Sequence, residues 1–387
     1  MKILFVCHRI PYPPNKGDKL RAFHILRHLS LKHEVYLVSL YDSPKDQDYA
    51  GELKAFCREV LLFPVHPWAA RFQALGCLFS GRPLSLGHFY SQKMHAAVRE
   101  VIQTKNPDLI FGFSSTMAQY FIYEKNRKIM DFVDCDSAKW SQYSKKAGFP
   151  MRWIYALECR RLRRYENFIA KHCERSLVVT QQERKKFSEF ADTGTFEVVS
   201  NGVDTEFFKR GGVGQGYRLI FTGVMDYFAN IDGVKYFCRE VFPFIKKDVP
   251  EAEFYIVGSK PPASVSALTS ISGVHVTGYV KDTRDYFRQA AVCVVPLRIA
   301  EGIQNKILEA MAMGLPVVTT SNAASGLSAA SGNPVLIADD PRDFAREVVT
   351  LLLDEAKRRH LGQQGRKYIE EHYNWETNLK KIDQILG

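Results

Sequence analysis

The chain has no long apolar run: nothing in its 387 residues approaches the roughly 18 consecutive apolar positions of a membrane-spanning helix. The N-terminal run Ile3–Cys7 is too short for a signal-peptide core and is followed at once by His8 and Arg9, so a soluble, cytoplasmic protein is expected. Paired cysteines are missing too. The eight, at positions 7, 57, 77, 135, 159, 173, 238 and 293, form no CxxC pair, and several lie inside apolar runs. That pattern fits buried thiols in a reducing compartment and speaks against a disulfide framework or a metal ribbon. There is no GxGxxG fingerprint and no GxxxxGK[ST] loop, which removes support for ordinary dinucleotide binding and for P-loop phosphoryl transfer. Short repeats and low-complexity tracts are also absent.

What remains is a globular composition, 46% apolar, 25% charged and 12% aromatic, which excludes a disordered or fibrous chain. At about 150 residues per domain the length predicts two sizeable domains. Lys and Arg outnumber Asp and Glu by 53 to 42, a net charge of +11.

Ile3–Cys7 reads as a strand covered on both faces, followed by a Pro-rich loop ending in Gly17, a helical pattern from Asp18, and a second strand over 34–40. Strand, loop, helix and strand at this spacing is a βαβ unit, which implies a parallel sheet. Further strands are predicted over 109–113, 129–133 and 176–180, with a long helix over 153–171. Four glycines in positions 211 to 216 form the best linker candidate, and the same grammar restarts beyond them. Strands are predicted over 218–223, 253–258, 274–278, 291–296 and 316–320, with helices over 232–244 and 305–313. The fold class is therefore α/β, with two successive units, 1–208 and 209–370, joined at the glycine-rich segment.

In open α/β sheets ligands bind at the carboxyl ends of the strands. Gly223, Gly258 and Gly278 mark such ends, where backbone must turn or approach something closely. The densest constellation is 296–318: a strand, a loop with Gly302, a helix starting near Asn305, and a stop at Gly314 and Pro316. A helix N-terminus with free N–H groups suits an anion, and Arg298 and Lys306 add positive charge beside it. Glu301 and Glu309 hold phosphate poorly but accept hydrogen bonds from sugar hydroxyls well. A solvated helix start is the bland alternative.

Here the sequence resembles the retaining family-4 glycosyltransferases. Glu301–Glu309 fits their E-x7-E motif, 308–318 fits the helix and strand that follow it, and Ser200-Asn201-Gly202-Val203-Asp204 is similar to the signature before their interdomain linker. Arg298, 305–309, and Asp134-Cys135-Asp136-Ser137 with Trp140 look most like the sugar transferases of exosortase (PEP-CTERM) exopolysaccharide systems. The resemblance implies a GT-B architecture, two Rossmann-like domains facing across a cleft, with a C-terminal crossover helix over 371–387 that packs back on the N-terminal domain. It implies that Glu309 holds the ribose, Glu301 the donor sugar, and the backbone of Gly302, Ile303 and Gln304 beside Asn305 the diphosphate. Gly223 would border the donor, and Gly278, Tyr279 and Val280 would cradle the base. The donor is a substrate, so no cofactor and no metal are expected.

Two departures stand out. Many members clamp the diphosphate with an Arg just after the glycine matching Gly223 and a Lys soon after; here Val224 follows, and no cation occurs before Lys235. Charge develops on the leaving diphosphate and must be stabilised, so Arg298 and Lys306 are expected to take over. The first loop also carries one glycine, Gly17, where a pair is usual.

In the N-terminal half, Asp134 and Asp136 fit acceptor contacts, while a helix N-cap with Ser137 and a metal site are the other readings of these acids. His88 falls where similar enzymes place a histidine near the donor sugar. His8, Lys16 and Arg21 are expected to face the same cleft. Residues 139–175 carry ten Lys or Arg against three Glu, a basic, partly aromatic stretch suited to anionic headgroups, to nucleic-acid phosphates, or simply to solvent. The reading that follows is a glycosyltransferase of hexosyltransferase type in exopolysaccharide or other cell-surface glycan synthesis. Its acceptor is lipid-linked at the inner membrane surface, with which the enzyme associates peripherally. A sugar-nucleotide epimerase or phosphorylase of the same fold is the alternative. A nucleic-acid-binding protein ranks last, since no RNP motif or zinc spacing supports it.

Overall fold

The computed structural model describes residues 1–14, 17–191, 195–209, 214, 216–300, 302–327 and 334–387. The first half of the chain builds a seven-stranded sheet from β1 (Lys2–Cys7), β2 (Glu34–Tyr41), β3 (Glu59–Pro64), β4 (Leu109–Phe113), β5 (Arg127–Asp131), β6 (Arg175–Val178) and β7 (Phe196–Val198), in the order β3-β2-β1-β4-β5-β6-β7. The second builds a six-stranded sheet from β8 (Arg218–Thr222), β9 (Glu253–Val257), β10 (Val274–Gly278), β11 (Val292–Val295), β12 (Val317–Thr319) and β13 (Leu336–Ile337), in the order β10-β9-β8-β11-β12-β13. All pairings are parallel. These are the two α/β sheets the apolar runs predict. The inner strands β4 and β11 are buried along their whole length, as helices on both faces require.

Strand order sets where a ligand can sit. The winding reverses at β1/β4 in one sheet and at β8/β11 in the other, and such switch points open a crevice at the carboxyl ends. β3 escapes the sequence reading because it is an edge strand, half-buried throughout and without a dense apolar run. The helix expected over 232–244 starts earlier, at Phe228–Tyr236, then passes through a π-helical turn, Phe237–Val241, into Phe242–Asp248. Pro243 supplies no N–H, so the ladder slips one residue as it passes.

The chain forms two compact units, residues 1–200 with 379–387, and residues 201–378. Most of the glycine stretch that marks the linker in the sequence, 210–213 and 215, lies outside the described residues. The segment just before it packs within the second unit. A Cβ on Gly202 would stand 2.6 Å from the Trp375 nitrogen, Val203 N–H donates to the Tyr373 carbonyl at 2.9 Å, and Arg366 donates to the Phe208 and Thr205 carbonyls at 2.7 and 3.1 Å. The final residues belong to the first unit, where Asp383 accepts from Lys32 at 2.7 Å and lies 2.9 Å from His28 Nε2. Among the described residues no helix is long and apolar enough to cross a membrane.

Candidate functional site

In the second unit, β8 delivers the chain to Gly223 at the switch point. Gly223 N–H donates to the Val257 carbonyl at 3.0 Å and Met225 N–H to the Ser259 carbonyl at 2.8 Å, so the ends of β8 and β9 are held against each other. Gly258 allows this contact: at φ 156°, a Cβ there would lie 1.7 Å from the Gly223 carbonyl oxygen. Beside Gly223 lies the ammonium of Lys306, from the first turn of the helix Asn305–Ala312. It donates to Asn230 Oδ1 at 2.6 Å and sits 4.2 Å from the centre of the Phe221 ring. A Cβ on Gly223 would be 3.2 Å from that nitrogen. Asn230 is fixed in turn by donating to the Val224 carbonyl at 2.8 Å.

Glu309 stands three residues beyond Lys306, on the same helix face. Burial pulls the Lys306 ammonium below the usual lysine range and lifts the Glu309 carboxyl above the usual carboxylate range, each partly offset by the other's charge. Burial also pushes the neighbouring Cys293 thiol up to about 12, leaving it an inert neutral neighbour. Lys306 is thus a cation kept poorly solvated at a helix start, where an anion gains most from it.

The surrounding loop is shaped for backbone approach. Gly302 has φ 63°, and a Cβ on Gly326 would come within 2.1 Å of the Gly302 carbonyl oxygen. Ile303 packs against the core, and Gln304 caps the helix in extended conformation. Among the described residues Asn305 Oδ1 is buried with no hydrogen-bond donor, a polar atom left over at the helix start. Glu301 lies outside the described residues. Gly278, at φ 70°, turns the chain at the carboxyl end of β10, with Tyr279 exposed and Val280 half-buried.

Arg298 is not brought to Lys306. It forks onto Asp232, with Nε–Oδ2 at 3.0 Å and Nη2–Oδ1 at 2.5 Å, and lies 4.8 Å over the Tyr236 ring. Asp232 and Asn230 are two residues apart on one helix, about 200° around its axis, so the two cations serve opposite faces. Asn230 is the contributor the sequence reading misses. Its one signal is a lone amide among the apolar Phe228, Ala229 and Ile231, a pattern usually read as core.

In the first unit a second polar cluster gathers at the carboxyl ends of β1, β4 and β5. His8 is nearly buried, stacked on Phe113 at 6.0 Å and edge-on to Phe89 at 5.7 Å, with Nε2 3.3 Å from Asp18 Oδ2. Arg9 bridges Asp18 and Asp42, each at 2.8 Å. Burial alone would raise the Asp18 carboxyl, but the hydrogen bonds and charges of His8 and Arg9 outweigh it and hold it well below the usual range. His88 lies near this group, its basicity lowered by burial and by Arg9 and partly restored by Asp42.

Two non-glycine residues with positive φ, Ser114 at 78° and Val133 at 66°, close β4 and β5. A β-branched residue there is a genuine outlier, and such strain collects at functional loops. Val133 N–H is held by Asp131 Oδ1 at 2.9 Å, and the bend leads to Asp134 and Asp136. Burial raises the Asp136 carboxyl, as does Asp134, against Lys139, His8 and the Ser115 hydroxyl, which donates to it at 3.2 Å. Ser137 makes no N-cap bond; the helix Asp136–Lys146 is capped at Cys135 without a side-chain bond. Arg21 lies inside the unit and not at this surface: with 0% exposure it pairs with Asp131 at 2.8 Å and donates to the Val199 carbonyl at 2.8 Å. Gly17 begins the helix Gly17–Ser30, and Lys16 lies outside the described residues.

Beneath this loop Glu166 is fully buried, accepting from Ser137 N–H at 3.1 Å, and burial lifts its carboxyl to about 8. The folded state then keeps a proton that the unfolded chain releases near pH 4.3. This contribution to stability is complete below about pH 4.3 and is lost as pH rises toward 8, at up to about 1.4 kcal/mol per pH unit. Glu166→Gln removes the slope, so its melting temperature should gain steadily on the wild type between pH 5 and pH 8. An offset constant with pH would mean that Glu166 is charged in the fold.

Comparison with known proteins bears on the second unit and on the fold. Residues 216–354, which carry Gly223, Asn230, Lys306 and Glu309, match the model of the family described as glycosyl transferases group 1. An uncharacterized 44.6 kDa protein in the cps region of Klebsiella pneumoniae is 20% identical over 398 residues, spanning 98% of both chains. Among solved structures, sucrose-phosphate synthase from Thermosynechococcus elongatus matches with a TM-score of 0.77 at 16% identity, covering 100% of this chain and 98% of that one. HepE of Anabaena, solved in complex with UDP, matches with a TM-score of 0.71 at 15% identity, covering 100% and 99%. The fold is the GT-B fold of glycosyltransferases.

Proposed function

We propose that this protein is a retaining glycosyltransferase that moves a sugar from a nucleotide-sugar donor to a hydroxyl acceptor in exopolysaccharide or other cell-surface glycan synthesis. The observation that carries the proposal is the poorly solvated Lys306 ammonium at the β8 switch point, with Glu309 one turn along the same helix. The group 1 match over 216–354, a UDP-bound neighbour and a cps-region relative support it. Kinship with family 4 and with exosortase-associated transferases rests on the Glu301–Glu309 spacing and on 134–140.

In this reading Glu309 accepts hydrogen bonds from the ribose hydroxyls, Glu301 from the donor sugar, and the Gly302–Gln304 backbone meets the diphosphate. As the glycosidic bond breaks, its electron pair goes to the phosphate oxygen, and Lys306 stabilises the charge that develops there. The acceptor hydroxyl attacks from the same face and gives its proton to the departing phosphate. Positioning and electrostatics are then the protein's share, and Lys306 supplies the positive charge without a metal. Asp134 and Asp136 are the first unit's candidates for holding a hydroxyl acceptor, proposed to be lipid-linked, and His88 its candidate for a place near the donor sugar.

A thermal-shift series with uridine, guanosine and adenosine diphosphate sugars tests the donor. One base should raise the melting temperature by mass action. Glu309→Gln should weaken that nucleotide by about ten- to a hundredfold, the worth of charge-assisted hydrogen bonds. No shift with any of the three, or equal affinity in the variant, refutes the assignment. Turnover of the donor without acceptor would point to an epimerase.

A further inference from the structure

The helix Pro67–Ser80 is built inside out. Its small residues Ala70 and Cys77 face the protein, whereas Trp68, Phe72, Leu75 and Phe79 are 72%, 70%, 55% and 93% exposed. At 100° per residue these four fall within an arc of about 60°, a single stripe opposite the buried side. Four such side chains present several hundred Å² of contiguous apolar surface, as much as the largest patch on a typical soluble monomer.

Charge around the stripe has one sign. Between Pro64 and Lys93 the chain has no Asp or Glu, but has Arg71, Arg82 and Lys93. Arg71 lies 5.4 Å over the Trp68 ring. The helix Met151–His172 is pinned to the end of this element: Arg161 donates to the Cys77, Leu78 and Arg82 carbonyls at 2.8, 2.9 and 3.1 Å, and Glu158 accepts from Leu84 and Ser85 N–H at 2.6 and 2.9 Å. Glu158 is the one acid between Ser137 and Arg164, and it is buried in those bonds. On the outside of that second helix Trp153, Arg160 and Arg164 are exposed at spacings of seven and four, which share one face.

We infer that the Pro67–Ser80 stripe and the basic face beside it form a docking surface for an anionic lipid bilayer, with the helix lying in the interface plane. Aromatic and aliphatic side chains on one face of a helix, flanked by cations, are the composition that headgroup and acyl boundary both favour. A second copy of the chain fits less well, because apposing two such faces sets cations against cations and one stripe falls short of the roughly 800 Å² per partner of a stable interface. The surface is read from exposure and charge alone and does not depend on the donor site.

Co-sedimentation of the full chain tests it, with vesicles of phosphatidylcholine plus phosphatidylglycerol and of phosphatidylcholine alone. Binding should be at least about tenfold stronger to the anionic vesicles and should weaken with salt. The stripe variant Trp68→Ser/Phe72→Ser/Phe79→Ser and the charge variant Arg160→Glu/Arg164→Glu should each lose about tenfold or more. All five positions are exposed, so both variants should melt as the wild type does, and a nucleotide shift unchanged in them separates this result from any failure at the donor site. Wild type that ignores anionic vesicles, or stripe-variant binding equal to wild type, overturns the inference. So does a concentration-dependent dimer that the stripe variant dissolves, which would make a second copy the occupant.

Discussion

Replacing Lys306 with alanine should lower sugar transfer by about a hundredfold to a thousandfold, the usual cost of removing one preorganised group that faces developing charge. Stability should change far less, by no more than about 2 kcal/mol, because opposing effects meet at the same atom. Removing the ammonium relieves a buried charge, which favours the fold. It also strands Asn230 Oδ1, whose loss of a donor costs about 1–3 kcal/mol. The Glu309 carboxyl loses its nearby cation and shifts further toward its neutral form. Lys306→Arg should not restore transfer, since the nitrogen is seated between Asn230 Oδ1 at 2.6 Å and the Phe221 ring at 4.2 Å, a place fitted to a compact ammonium and not to a longer planar fork. Steady-state assays beside thermal melts decide the matter; near-normal turnover in the alanine variant would remove Lys306 from the chemistry.

The second large effect is expected at Gly258. An added methyl would meet the Gly223 carbonyl oxygen at 1.7 Å, a backbone atom held by neighbouring hydrogen bonds, so the β8 and β9 ends must part. Overpacking of this kind costs about 3 kcal/mol or more, which for a unit of this size lowers the melting temperature by roughly 6–12 °C. Because Gly223 borders Lys306 and Asn230, nucleotide affinity should fall with it, by about tenfold. Gly278→Ala is the informative control. Its φ of 70° is equally unfavourable for an L side chain, but nothing lies within 4 Å, so the cost should stay near 1–2 kcal/mol. Equal melting of the Gly258→Ala and Gly278→Ala variants would show that the contact with Gly223 is not what this glycine serves.

The candidate site was legible in part. Lys306 and Glu309 stand out in the chain because a helix start, its cations and its acids are all neighbours in sequence. Asn230 does not stand out, since 76 positions separate it from the lysine it holds and an amide in an apolar run has no local meaning. Arg298 looked like Lys306's partner for the same reason of proximity, yet its fork is engaged by Asp232, on the other face of the helix that carries Asn230. Arg21 likewise sits near polar loop residues in sequence but points inward to Asp131, 110 positions away.

Two parallel sheets, their restart after residue 216 and the position of the helix Asn305–Ala312 follow from the order of apolar runs and turns, because strand and helix periodicity are local properties of a chain. Which groups meet at the strand ends is another matter. The 8–11 reversal in sheet order, the Gly258–Gly223 contact and the outward stripe on Pro67–Ser80 arise when distant segments compete for the same space. Periodicity tells that a helix has an apolar side; packing alone settles whether that side is turned toward the core or toward solvent.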